Sequence, residues 1–106
     1  MKPDHVTLLV SSLDRSMPYY EQLLPLIGFY KQNNQVWSDG AGFYCQFLQA
    51  NADARPYERY GAGMNHLGFR ATSPEQVQAI RTAMQAAGFP VPEIQQLSGA
   101  TALFLQ

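Results

Sequence analysis

Hydrophobic and polar positions along the chain change period several times, and each change marks an element. From His5 to Val10 the residues run His-Val-Thr-Leu-Leu-Val. After the histidine only Thr7 is polar, so this short, β-branched run predicts a strand with both faces covered. The period then lengthens: Met17, Tyr20, Leu24 and Ile27 recur at a spacing that gathers them on one face of a helix. Gly28 follows at the position where helices commonly end in a left-handed residue. Pro18 suits the first turn of a helix, so a regular helix is predicted to start near Ser16, and Pro25 should loosen its last turn. Runs over 29–33, 35–38 and 42–50, divided by the turn pairs Asn33-Asn34 and Asp39-Gly40, predict a three-strand meander.

The same order of signals then repeats. Asp4-His5-Val6-Thr7-Leu8-Leu9-Val10 is matched by Asn65-His66-Leu67-Gly68-Phe69-Arg70-Ala71 at an offset of 61, and Ser12-Leu13-Asp14 by Ser73-Pro74-Glu75 at the same offset. Gly28-Phe29 returns as Gly88-Phe89, 60 residues on. In the second half Ser73 is an N-cap candidate, Pro74 fits the first helical position and Gln76 completes a capping-box pattern. Val77, Ile80, Met84 and Ala87 form the expected buried stripe, and Gly88 closes the helix. Strands are expected over 91–97 and 100–106, about Ser98-Gly99. The first half thus holds four strands and the second has room for three. The organisation expected is one domain of two modules, 1–50 and 65–106, joined by a linker over 51–64.

Composition narrows the function classes. The chain has 106 residues, 46% of them hydrophobic and 12% aromatic, as one globular domain requires. A formal net charge of -1 with 14% charged residues and no basic stripe speaks against nucleic acid as a partner. Neither a polybasic cluster nor a long apolar run suggests a membrane. The first residues, Met1-Lys2-Pro3-Asp4-His5, lack the apolar stretch of a signal peptide. Cys45 is the only cysteine, so a reducing compartment, the cytoplasm, is expected.

Chemistry-bearing residues are few. His5 and His66 are the only histidines, and both occupy the same repeat position. A single histidine on a strand is more often structural or solvent-facing than a ligand, but two neutral imidazoles on neighbouring strands suit zinc, iron, nickel or manganese. Trp37, Tyr44 and Tyr60 are candidates for the aromatic wall of a pocket, with core packing an equal account of Trp37. The linker, with Pro56-Tyr57-Glu58-Arg59-Tyr60, reads either as a surface connection whose tyrosines cover the core edge or as a loop closing over a pocket. Cys45 sits in an apolar strand, where burial is expected. There is no Gly-rich phosphate loop, cysteine pair or Gly-x-Ser-x-Gly elbow.

The Asp-His-Val-Thr-Leu-Leu-Val, Ser-Leu-Asp-Arg-Ser, Tyr19-Tyr20 and Gly28-Phe29 signals, repeated as Asn65-His66-Leu67-Gly68-Phe69 and Ala86-Ala87-Gly88-Phe89, resemble the vicinal-oxygen-chelate superfamily of glyoxalases, bleomycin-resistance proteins and extradiol dioxygenases. The resemblance covers nearly the whole chain. It implies an α+β fold in which tandem βαβββ modules form a half-open barrel around a pocket. It also implies metal ligands on inner strands: a histidine on the first strand of one module beside a carboxylate on the last, with a similar pair from the other module. By position His5 and His66 take the histidine places, and Gln46 is the first candidate for the carboxylate place, ahead of Gln49. Glutamine offers a carbonyl oxygen without charge, so such a site would hold a divalent cation less tightly than one with two carboxylates. Some family members keep Gln there with zinc.

A second departure concerns the last strand. In the family, the strand resembling Ala102-Leu103-Phe104-Leu105-Gln106 leads through a turn into a final strand carrying a glutamate; the repeat offset carries Ala50 to position 111, past Gln106. The expectation is that further chain, or a partner chain in a homodimer, supplies that strand. The functions implied are a metal-dependent lyase- or dioxygenase-type enzyme acting on a small organic molecule, with a divalent metal (Zn, Fe, Ni or Mn) and no organic cofactor. The alternatives are a metal-free, drug-sequestering binding protein and a small interaction module that uses an unpaired sheet edge.

Overall fold

The computed structural model describes residues 1–105; Gln106, the last residue of the predicted final strand, lies outside them. The elements are β1 (His5–Val10), α1 (Leu13–Leu26), β2 (Tyr30–Lys31), β3 (Val36–Ser38), β4 (Tyr44–Gln49), α2 (Pro74–Ala86), β5 (Gln95–Leu97) and β6 (Ala100–Ala102). They fall into two compact units, Met1–Phe69 and Arg70–Gln106.

The first unit is a complete βαβββ module. Its sheet has the order β1-β4-β3-β2, with β1 parallel to β4 and the other pairs antiparallel. Parallel neighbours cannot be joined by a hairpin, and α1 provides the crossover between them. Strand alternation then sorts the side chains. Val6, Leu8 and Val10, with Trp37, Cys45 and Phe47, face α1 and form the core with Leu24 and Phe29. The helical stripe read from the sequence packs there: Leu24 is buried, and Met17, Tyr20 and Ile27 lie against the cluster. The opposite face carries His5, Thr7 and Leu9 beside Tyr44, Gln46 and Leu48. It remains open, with Leu9 62% exposed, so β1 is covered on one side rather than two.

Helix α1 starts earlier than Pro18 suggests. Ser12 is the N-cap, and its hydroxyl accepts from the Arg15 amide. Pro18 therefore lies inside the helix, as does Pro25. Both prolines are exposed, as are Asp14 and Glu21, whose carbonyls they leave without a helical donor, and a site open to water offsets part of the cost.

The two helices end identically. The Phe29 amide donates to the Leu24 carbonyl at 2.9 Å and the Gly28 amide to Pro25 at 3.3 Å. In α2 the Phe89 amide donates to Met84 at 3.1 Å and the Gly88 amide to Gln85 at 3.0 Å. These are Schellman motifs, and both need their glycine, since Gly28 and Gly88 each have φ of 93°. Leu24 and Met84, which supply the first carbonyl of each motif, are also the single buried residues of their helices.

In the second unit Ser73 caps α2 as expected, accepting from the Gln76 amide. The side chain of Gln76 does not close a capping box on Ser73; its oxygen accepts from the amide and hydroxyl of Thr72, one residue earlier. Ala87 is exposed at the C-cap rather than part of the buried stripe. The strand expected over 91–97 shortens to β5. Arg81 takes the Pro92 carbonyl at 2.7 Å and the Glu93 carboxylate at 3.2 Å, and prolines at 90 and 92 have no amide for a ladder. The strand expected over 100–106 shortens to β6, and the two pair around Ser98-Gly99, where Gly99 takes φ of 73°.

The strand expected at 65–71 is not formed. In the first module the equivalent strand, β1, has its parallel partner β4 as its one neighbour among the described residues. The repeat offset carries β4 onto positions 105–110, so the corresponding partner is not among the described residues. Without a ladder its backbone groups turn elsewhere.

The turn between β3 and β4 is organised by Asp39, whose Oδ1 accepts from the amides of Phe43 at 3.0 Å and Ala41 at 2.7 Å. These bonds, that from Phe43 foremost, hold its carboxyl below the ordinary value of 3.8. A depressed folded value means that the stabilisation is fully present above the unfolded value and is lost as pH falls through the folded one. Asp39→Asn keeps an acceptor but removes the ionisation. Urea melts of the variant should therefore lose less stability than wild type between neutral pH and pH below 3.8; identical acid slopes would show that Asp39 contributes none of the pH dependence.

Candidate functional site

The open face of the first sheet is where polar and apolar side chains meet. His5 stands opposite Tyr44 in the β1–β4 register, Thr7 opposite Gln46, and Leu9 opposite Leu48. The Thr7 hydroxyl reaches the Gln46 side-chain oxygen at 3.5 Å, a long contact that leaves the amide lightly held. His5 and Gln46 thus share a face, two residues apart in the register. Gln49, the second candidate for the carboxylate place, has a different task. Its amide donates to the Ser11 carbonyl and accepts from the Leu13 amide at 2.9 Å, tying the end of β4 to the β1–α1 turn.

Each histidine is held from one side by the residue before it. His5 Nδ1 lies 2.7 Å from the Asp4 carboxylate, and His66 Nδ1 lies 2.7 Å from the Asn65 side-chain oxygen. Both rings are on exposed residues. His66 sits on the segment that lacks a strand partner, and this segment is fixed by the linker. The Tyr57 hydroxyl is shared between the carbonyls of Met64 at 2.8 Å and Asn65 at 3.1 Å, and the Asn65 amide nitrogen donates to the Arg59 carbonyl at 2.9 Å. Beyond the histidine, the Phe69 ring packs edge-on against Phe29, 5.8 Å between centroids. Sequence reading placed Tyr57 only among linker tyrosines; nothing in its spacing signals this latch.

The three aromatic candidates separate. Trp37 is 3% exposed inside the core cluster, so it packs rather than lining a pocket. Tyr44 lies on the open face beside His5. Tyr60 is 83% exposed, with the Arg59 guanidinium 5.5 Å from its ring centre. Cys45 is buried as expected, and burial raises its thiol pKa, which keeps it protonated and unreactive.

As a donor set, His5, His66 and Gln46 provide two imidazoles and one amide oxygen. Among the described residues no group of three or more His, Cys, Asp or Glu side chains is placed to hold a metal ion. Of the three, His5 and Gln46 share one face of the sheet; two imidazoles and one neutral amide oxygen are too few for a closed structural site, so an ion bound by them would keep positions for water or a ligand. No helix among the described residues is long and apolar enough to cross a membrane.

Comparison with known proteins follows the same lines. An uncharacterized protein of Bacillus subtilis, YqjT, is 32% identical over 94 residues, covering 82% of this chain and 72% of its own. The crystal structure of a protein from Bacillus halodurans, provisionally named a glyoxalase, superposes with a TM-score of 0.71 at 25% identity, over 84% of this chain and 71% of that one. The profile of the Glyoxalase/Bleomycin resistance protein/Dioxygenase superfamily matches residues 2–104. With a βαβββ module in the first unit, a repeated helix-and-stop in the second and a family match along almost its whole length, the chain belongs to that superfamily.

Proposed function

We propose that the protein is a metal-dependent enzyme of the lyase or dioxygenase type, acting on a small organic molecule, with His5 and His66 as imidazole ligands and Gln46 as a neutral oxygen ligand. The observation that carries this reading is the matched placement of the only two histidines, each exposed and each held at Nδ1 by the residue before it. A divalent ion supplies Lewis acidity toward vicinal oxygens of a bound molecule. The chain's own part is to bind and orient. Leu9, Tyr44 and Leu48 give the open face an apolar floor for a hydrocarbon portion, and the Thr7 hydroxyl and the Gln46 amide give it polar groups that fix orientation.

A second reading, a metal-free protein that binds a small molecule on the same face, is favoured by that partly exposed apolar surface; among the described residues no group of three or more His, Cys, Asp or Glu is placed to hold an ion. Elemental analysis of gently purified protein, repeated after incubation with zinc, iron, nickel and manganese, separates the two. Near-stoichiometric metal is expected. Protein that takes up none of the four retires the enzyme reading in favour of the binding one.

A further inference from the structure

We infer that Asp4 and Asn65 are positioning residues that fix His5 and His66 in the Nδ1–H tautomer, so that Nε2 is the bare nitrogen each ring offers to a ligand. An ionised carboxylate can only accept, so at 2.7 Å from Asp4 the His5 Nδ1 must be the donor. Asn65 reaches the same result by other means. Its side-chain nitrogen donates to the Arg59 carbonyl at 2.9 Å, which fixes which end of the amide is which. The oxygen then faces His66 Nδ1 at 2.7 Å, and an amide oxygen also only accepts. Reversing the amide would set its oxygen against the Arg59 carbonyl. The Tyr57 hydroxyl holds the Asn65 backbone in place beneath this contact.

The two devices differ in charge. Asp4 places a negative group behind His5, whereas Asn65 places a neutral one behind His66. The tautomer assignment stands on hydrogen-bond geometry alone; its bearing on a metal rests on the reading proposed above. On that reading His5 is the more electron-rich ligand, and loss of Asp4 costs more affinity than loss of Asn65.

Long-range proton–nitrogen correlation spectra of the metal-free, nitrogen-15-labelled full chain test this at about pH 8, where an ordinary imidazole is neutral. Both wild-type rings should show protonated Nδ1 and bare Nε2. Asp4→Ala should turn His5 alone into a tautomer mixture, and Asn65→Ala should do the same for His66 alone. A wild-type ring protonated at Nε2, or Ala variants with unchanged tautomers, would overturn the inference. Zinc titration of the same samples tests the metal reading separately. A loss of roughly 10- to 100-fold in affinity for Asp4→Ala, larger than for Asn65→Ala, is expected. Nδ1–H rings in a protein that takes up no zinc would uphold the positioning roles while removing the metal.

Discussion

Phe47→Ala lowers the free energy of unfolding by about 3–5 kcal/mol, the range for truncating a fully enclosed phenylalanine. Phe47 has no exposed surface, lies on β4 with a neighbouring strand on each side, and has the Tyr20 ring of α1 at 4.5 Å. Sheet and helix both close on this one ring. The alanine leaves a cavity that rigid strands cannot collapse, so the cavity cost adds to the lost transfer energy. Urea denaturation gives the number, with Leu48→Ala as the internal comparison, since Leu48 is the next residue on the same strand but points to the open face and is 38% exposed. Equal losses for the two variants would mean that the core does not lie on the α1 side of the sheet.

His5→Ala combined with His66→Ala abolishes metal uptake and leaves the domain folded. Both residues are exposed, and neither belongs to the core cluster, so their removal takes little from stability. The Nδ1 contacts to Asp4 and Asn65 are lost, and both are at the surface. On the metal side, removing two of three proposed ligands leaves a single amide oxygen, too little to retain a divalent ion. The measurement is metal content after reconstitution, with circular dichroism as the folding control. A folded double variant that still takes up the wild-type amount of metal refutes the ligand assignment.

How much of this was legible in the sequence depends on whether local or distant residues decide. β1 lies where a short apolar, β-branched run puts it, and both helix ends follow from a glycine followed by phenylalanine, because the Schellman motif is built within six residues. α1 begins at Leu13 rather than near Ser16, because Ser12 caps it and Pro18 sits at an exposed position within it. The segment at 65–71 has the residues of a strand but not the ladder, and strand formation is decided by a partner distant in sequence. Site residues divide the same way. His5 and His66 stood out by repetition and Tyr44 by its place on a strand, whereas the core location of Trp37 and the latches made by Tyr57 and Gln49 depend on contacts that no periodicity records.

The parallel pairing of β1 with β4 also sets a clock for synthesis. Thr7 and its partner Gln46 are 39 residues apart, and among the described residues β1 has no other neighbour in the sheet. At ordinary translation rates of 5–20 residues per second, that separation corresponds to roughly 2 to 8 seconds between the two residues being made. During that interval Val6, Leu8, Leu9 and Val10 have no strand to lie against. The first module is thus finished by its last strand, and none of the β1–β4 ladder can form until the chain through Gln49 is available.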